Sequence, residues 1–325
     1  MTPKISKRVL LGTLLSLAAG AALSQTADYP NKPITLVVAF PAGGSSDALA
    51  RPLAQRLQQA LGQPVVIENR GGAGGTIGAA TVAKAAPDGY TLMLTSSHHF
   101  IAEHVYKKLP YEYTKAFEPI SVIASVPSVL VVGTKEKANS LKDLIAQLKA
   151  EPGKHNYGSA GVGSTQHATA ELFKSRSGTQ AEHVPYKGGG PMMLDLIGGQ
   201  VGFAFETIPS ALTQIRGGKV KALAVTTTKR SFALPDTPTM GEAGMSGFDA
   251  PVWYGVVAPM GTPRALIEKL NRTINSLLDS AEFKAQLLTL GAQPVTMSPI
   301  EWSGAIRVDL KRWERLVRQA QMVVE

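Results

Sequence analysis

Two stretches of small residues stand out in this 325-residue chain: Pro41-Ala-Gly-Gly-Ser-Ser-Asp47 and Gly158-Ser-Ala-Gly-Val-Gly-Ser-Thr-Gln-His167. Each follows a short extended run, Ile34 to Phe40 and His155 to Tyr157, and each opens into a helical pattern, Ala48 to Leu61 and Ala168 to Arg176. A strand–loop–helix junction leaves first-turn N–H groups without intrahelical partners and aims the positive end of the helix dipole at one spot. In the first loop, after Phe40, the N–H groups of Ala42, Gly43, Gly44 and Ser45 are candidate donors, with the Ser46 hydroxyl beside them. In the second, Ser159, Gly161, Gly163, Ser164 and Thr165 offer a facing nest of the same kind. Glycines let such a backbone approach a bound group closely. Two such loops in separate halves of an α/β chain suggest a small anion held between two lobes, against the plainer reading of tight turns with capping serines.

Other side chains join this candidate site. Asp47 falls in the first turn of its helix, where a carboxylate suits the dipole and can also accept from a ligand ammonium or hydroxyl. His167 starts the second helix, as a ligand donor or as a structural hydrogen-bonding group. Thr95-Ser-Ser-His98 follows a predicted strand at the edge where α/β sheets bind ligands, so Ser96 and Ser97 are candidate cleft-liners. Tyr186-Lys-Gly-Gly-Gly190 precedes a helix with Pro191 at its start; Tyr186 is placed to pack on a ligand, and Lys187 reads as a solvated cation. Glu206 ends the strand Val201 to Phe205.

Catalytic readings find little. The second loop lacks the lysine of a phosphate-binding P-loop and does not fit the G-x-G-x-x-G dinucleotide pattern. Ser45 follows two glycines but is itself followed by Ser46-Asp47, so no G-x-S-x-G nucleophile elbow forms there or at any other serine. His98, His99 and His104 lack the H-E-x-x-H order of a zinc site. With no cysteine, there is no disulfide framework, thiol nucleophile or Cys-ligated metal. No catalytic residue, metal or cofactor is expected. The net charge of +9 includes Lys4, Lys7 and Arg8, leaving +6 beyond residue 24, spread without a basic block. A nucleic-acid partner, which needs a clustered basic face, is not expected.

The elements that position these residues alternate. Strand patterns at Ile34–Phe40, Pro64–Glu68 and Tyr90–Thr95 are separated by helical patterns at Leu49–Leu61 and Ile77–Ala86. After the less regular stretch Phe100–Phe117, two extended pieces hinge at Pro127 within 119–132, and a second βα series runs to the strand at Val220–Thr226. Helices at Pro263–Ser280, Ala281–Leu290 and from Pro299 close the chain. Strands alternating with helices predict βαβ units and mostly parallel sheets. If 119–132 and 220–226 are crossovers, residues 25–124 and 228–325 form one discontinuous domain and 125–227 the other. Such a pair of lobes suits hinge closure on a ligand. Before them, a basic n-region, the apolar run Val9–Leu23 and Ala22-Leu23-Ser24 read as a 1–24 export signal, with Gln25 the expected mature start. No later run approaches a membrane span, and no cysteine follows the signal to carry a lipid. An exported protein without a direct membrane anchor is expected, in a Gram-negative periplasm.

In order along the chain, Tyr29-Pro-Asn-Lys-Pro-Ile34, Phe40-Pro-Ala-Gly-Gly-Ser-Ser-Asp47, Val66-Ile-Glu-Asn-Arg-Gly-Gly-Ala-Gly-Gly75 and Pro87-Asp-Gly-Tyr-Thr-Leu92 resemble one known family. So do Tyr157 to His167, His183-Val-Pro-Tyr-Lys-Gly188, Gly198-Gly-Gln-Val201, Leu223-Ala-Val-Thr226 and Pro238-Thr-Met-Gly-Glu-Ala-Gly244. The family is that of the periplasmic solute-binding proteins of tripartite tricarboxylate transporters, the Bug or TctC-like group. The resemblance implies a two-lobed α/β periplasmic binding protein fold of type II (the Venus flytrap), a monomer with an interdomain cleft. It also implies capture of a small carboxylate there (a di- or tricarboxylate, an amino acid or an aromatic acid) and delivery to a two-component integral membrane permease. At Glu206 the chain carries a longer acid where the family commonly has Asp followed by a small polar residue, which bears on ligand selection. An exported hydrolase with an unrecognised site is the rival class, and a purely structural or interaction protein a further one.

Overall fold

The computed structural model describes residues 29–322. The export signal expected at 1–24 lies outside the described residues. The chain opens with β1 (Ile34–Val38), α1 (Ser45–Leu61), β2 (Val65–Asn69), α2 (Thr76–Ala83) and β3 (Thr91–Ser96). Helices α3 (Ser97–Val105) and α4 (Tyr113–Ala116) then lead to β4 (Phe117–Val126) and β5 (Ser128–Gly133). There follow α5 (Leu141–Ala150), β6 (Asn156–Ser159), α6 (Thr165–Ser177), β7 (Glu182–Pro185), α7 (Gly189–Gly198), β8 (Phe203–Thr207), α8 (Ile208–Arg216) and β9 (Val220–Val225). The chain ends with β10 (Val252–Pro259), α9 (Arg264–Asp279), α10 (Ala281–Thr289), β11 (Gln293–Pro294) and α11 (Pro299–Gln319).

Local sequence explains the elements nearest the site. In β1 both faces are apolar: Leu36 and Val38 pack with Leu49, Leu53 and Leu57 of α1, while Val37 packs on the other side with Ala79 and Val82 of α2. A strand covered on both faces reads as a continuous hydrophobic run. α1 ends where Gly62 takes φ +69°, a left-handed cap that glycine adopts without penalty. α11 starts with a capping box between Ser298 and Glu301, and buries Trp302, Ile306, Trp313 and Val317 along one face.

The strands form two sheets, in the orders β11-β4-β10-β3-β1-β2 and β7-β6-β8-β5-β9. Each has a parallel trio, β2-β1-β3 and β7-β6-β8, continued by antiparallel strands. The expectation of mostly parallel sheets is corrected: both are mixed. Direction of travel is the reason. β4 carries the chain out to the second sheet and β10 brings it back beside β4, so the two must run oppositely; β5 enters the second sheet and β9 heads for its exit under the same constraint.

The two links between the sheets lie side by side, because Val126 and Val252 are register partners. One link is the single residue Pro127; the other runs through Ala250 and Pro251. The buried Thr226 ties them together: its hydroxyl accepts from Ser128 N (3.1 Å) and lies 3.2 Å from both the Ser128 and Ala250 carbonyls. The stretch after β9 stays on the second sheet. Val225 bridges Thr239, Ala250 N donates to Thr226 O at 2.9 Å, and the Phe248 ring stacks on Phe205 at 6.2 Å. A single buried cluster runs from Phe100, Tyr113 and Trp302 to Tyr157, Phe203 and Phe205, joining the two sheets, and α11 packs against both α3 and α6.

Candidate functional site

Five helices begin at one place between the sheets: α1 after Gly44, α3 after Ser96, α6 after Ser164, α7 after Gly188 and α8 after Thr207. They surround a cavity of about 20 Å³ to which Phe40, Gly44, Ser45, Ser46, His98, Gln166, Gly189, Glu206, Thr207 and Tyr254 contribute. Ser164 caps α6 by accepting from His167 N, and at the start of α3 Ser96 N donates to His99 Nδ1 at 3.3 Å. α1, α7 and α8 have no side-chain cap. In α1 and α7 the first-turn N–H groups of Ser45, Ser46, Gly189 and Gly190 keep their hydrogen-bonding capacity. In α8, by contrast, Ile208 N donates to the Pro127 carbonyl at 3.1 Å and Pro209 has no N–H, so that helix contributes mainly its dipole.

Contacts between the sheets frame this point. Ser45 Oγ meets Thr207 Oγ1 at 2.5 Å, and Thr165 Oγ1 meets His98 Nδ1 at 2.9 Å. On the first sheet's own side, the Phe40 ring sits edge-on to His98, with centroids 4.7 Å apart. Nearby, Tyr106 OH donates to the Val162 carbonyl at 2.9 Å.

Among the described residues, no Lys or Arg lines the cavity. Its one acid, Glu206, is 1% exposed. Glu206 Oε1 accepts from Gln166 Nε2 (3.0 Å), Thr207 N (2.7 Å) and Thr207 Oγ1 (3.1 Å), whereas Oε2 is buried without a hydrogen-bond partner. Burial raises the Glu206 pKa, and the hydrogen bonds from Thr207 and Gln166 oppose the rise. Burial, with repulsion from His99, pushes the His98 imidazole down to about 3, so it faces the cavity neutral. Burial likewise raises the Tyr254 phenol. A Cβ on Gly189 would stand 2.3 Å from Glu206 Oε2, so this first-turn glycine makes room for the acid.

A second, larger cavity of about 240 Å³ adjoins the first across Phe40. Gly72 to Gly75 form one wall, and Ala160 to Val162 with Pro185 to Lys187 the other. The walls are close: a Cβ on Gly74, whose φ is +62°, would lie 2.3 Å from the Val162 carbonyl oxygen.

The structure brings Phe40, Gly44, Ser45, Ser46 and Glu206 to the first cavity and Gly161 and Tyr186 to the second. Thr165 joins them through His98. Ala42 and Gly43 are exposed at the rim. The remaining candidates are engaged elsewhere. Asp47 pairs with Arg51 (2.9 and 3.0 Å) and accepts from Gly43 N, tying the first loop to its own helix. Ser97 donates to Asp309 and accepts from Trp253 N. Ser159 accepts from Gly161 N and pairs with His183 Nε2 at 2.6 Å. His167 accepts from Gly163 N through Nδ1 and stacks on His183 with centroids 3.9 Å apart; burial pushes its pKa down to about 3. Ser164 acts as a cap, whereas Ser96 Oγ is another buried atom without a partner. Tyr186 OH donates to Asp195 at 2.7 Å, leaving its ring to the second cavity.

Sequence reasoning did not nominate Gln166, Thr207, Gly189 or Tyr254, and weighed His98 only as a metal ligand. Gln166 and Thr207 had a usable signal, since each adjoins a nominated residue at a helix start. Tyr254 had none, because it reaches the site through its register opposite Ser96 in the β3–β10 pair. Among the described residues, no three His, Asp or Glu side chains gather as a metal ion would require, and no helix is long and apolar enough to cross a membrane.

Residues 49–322 match the profile of the tripartite tricarboxylate transporter family receptor, TctC. Protein BugT of Bordetella pertussis is 42% identical over 312 residues, spanning 95% of this chain and 96% of that protein. Two solved structures are similar over whole chains. R. palustris Rpa4515 with adipate has a TM-score of 0.89 at 37% identity, covering 91% of this chain and 100% of that one. MatC (Rpa3494) from Rhodopseudomonas palustris with bound malate has a TM-score of 0.85 at 33% identity, covering 89% and 100%. The two sheets are thus the lobes of a periplasmic binding protein fold. The chain belongs to the tripartite tricarboxylate transporter receptors, the Bug or TctC-like family of solute-binding proteins, which are receptors and not enzymes.

Proposed function

We propose that this chain is a periplasmic receptor that captures a small carboxylate between its lobes and hands it to a two-component integral membrane permease. One observation carries the reading: the uncapped N-termini of α1 and α7, with the dipole of α8 beside them, converge on a buried cavity that no side-chain cation lines. Backbone N–H groups and helix dipoles are suited to hold an anion in such a place. The adipate and malate bound by the two similar proteins support a carboxylate as the anion. The ligand's first carboxylate sits against Gly44, Ser45 and Ser46 and the facing loop at Gly161, and its remainder reaches toward the second cavity beside Tyr186.

In this reading one lobe comprises β1–β4 with the elements from β10 onward, and the other comprises β5–β9. The return link is at Pro251 rather than near 228, because the stretch after β9 stays on the second sheet. The lobes swing about the paired links, close on the solute as a monomer, and need no cofactor. A thermal-shift series over amino, di-, tri- and aromatic carboxylates tests this. A true ligand at 100 times its Kd stabilises the fold by about 2.7 kcal/mol. Robust turnover of esters or amides, or the absence of any stabilising carboxylate, would refute it. Recovery of only non-transport partners in a membrane pull-down would remove the permease.

A further inference from the structure

Glu206 has an arrangement that a merely structural acid does not need. Its Oε1 is saturated by three donors, while Oε2, equally buried, has none and points at the helix start that only a glycine leaves open. We propose that Glu206 is the ligand-facing acid of this receptor, holding a proton on Oε2 and donating it in a hydrogen bond to the captured solute's carboxylate. This rests on the carboxylate-receptor reading above and narrows it: the solute presents an acceptor, not an ammonium, at this point.

The surrounding groups give the reason. Facing the cavity are Ser45 and Ser46 from α1, His98 from α3, Gln166 from α6, Gly189 from α7 and Tyr254 from β10. Besides His98, the titratable side chains in the first turns of α1 and α6, Asp47 and His167, are turned away onto Arg51 and His183. Two carboxylates in one dry site with no cation cannot both ionise, so one proton is shared between them. Because Oε1 already accepts three bonds, that proton belongs on Oε2, and the converging helix ends stabilise the single remaining negative charge. Burial raises the Glu206 pKa in the same direction. Between pH 6 and 9 no other facing group titrates: burial holds His98 neutral and keeps the Tyr254 phenol protonated.

The test is calorimetry of wild type, Glu206→Gln and Glu206→Asp with adipate, malate and L-aspartate from pH 6 to 9. Wild-type affinity for the dicarboxylates should weaken with rising pH, approaching tenfold per unit, the limit for one linked proton. Glu206→Gln, whose amide always donates, should lose this dependence and bind more tightly than wild type at pH 9. Glu206→Asp, one carbon shorter, should bind weakly at every pH. The infrared carbonyl stretch of a protonated carboxylic acid should appear in the loaded wild type and vanish in Glu206→Gln. If carboxylates bind with no pH dependence, or if Glu206→Gln abolishes binding while L-aspartate is preferred, Oε2 is an acceptor and the proposal fails alone. If no carboxylate binds at any pH, the receptor reading falls and this inference with it.

Discussion

Replacing Gly74 by alanine should wedge the two lobes apart. The added Cβ would lie 2.3 Å from the Val162 carbonyl oxygen, on the opposite wall of the larger cavity. A relaxed C···O contact is about 3.3–3.6 Å, so the walls must separate by about 1 Å. The obstacle is backbone, not the free end of a side chain, and overpacking of this kind costs about 1–3 kcal/mol. If binding requires closure, that cost is charged to the closed form, and Kd should rise about 5- to 150-fold. Gly74 also has φ +62°, which strains alanine with or without ligand. Gly62 isolates this second effect: its φ is +69°, nothing lies within 4 Å of its Cβ position, and it caps α1 away from the cavities. Both variants should lose about 1–2 kcal/mol of folding stability to the left-handed backbone, but only Gly74→Ala should lose affinity. Calorimetry with adipate and denaturant midpoints, measured on both, make the comparison. Equal affinity in the two variants would mean that the walls do not close on the ligand, and the reasoning would be wrong.

Thr226→Val keeps the shape but removes the hydroxyl that serves both links, leaving Ser128 N without its partner. It should lower stability by about 1–3 kcal/mol, read as a shift in urea midpoint. Gly161 has φ +121° and only 3.1 Å between its Cβ position and the Tyr186 carbonyl, so Gly161→Val should impair carboxylate binding far more than Lys187→Ala, as equilibrium titrations would reveal. Acid should destabilise the fold through its buried imidazoles. His98 and His167 titrate near 3 when folded and at 6.5 when unfolded, so below pH 6.5 the unfolded chain binds more protons and stability falls as pH drops toward 3. Melting temperatures across that range should fall less steeply in His167→Asn, whose amide oxygen can still accept from Gly163 N.

Much of this molecule is legible in its sequence because its signals are local. The glycines and small residues at 41–47 and 158–167 announce strand–loop–helix junctions, and α1 and α6 begin within them at Ser45 and Thr165. The break at Pro127 separates β4 from β5 as the pattern predicts. What escapes is set by distant partners. α3 lies in a stretch whose burial on both sides, from Phe100 and Ile101 to His98 and His99, erases helical periodicity. The antiparallel strands follow from the route of the chain between sheets, which no run of residues encodes. At the site, type and spacing cannot say which way a side chain turns. Asp47 is claimed by Arg51, Ser97 by Asp309 and His167 by His183, partners 4, 212 and 16 positions away. Glu206 is read as an acid at the end of a strand, but its half-satisfied carboxyl group becomes visible only when Gln166, Thr207 and Gly189 surround it.

The two links between the lobes each contain a proline, Pro127 and Pro251, on neighbouring threads of the chain. Proline holds φ near −65° and keeps the preceding residue extended, which here means Val126 and Ala250. Each link has therefore lost much of its torsional freedom, and the rotation that remains is concentrated in a few ψ angles on two adjacent threads. A linkage of that kind has a direction of swing but little sideways play. If the lobes close as proposed, the opposing loops would meet in the same alignment each time, with the Gly74 wall against Val162. The close approach of Gly74 to the Val162 carbonyl, where even a Cβ would not fit, is the contact such guidance would have to keep in register.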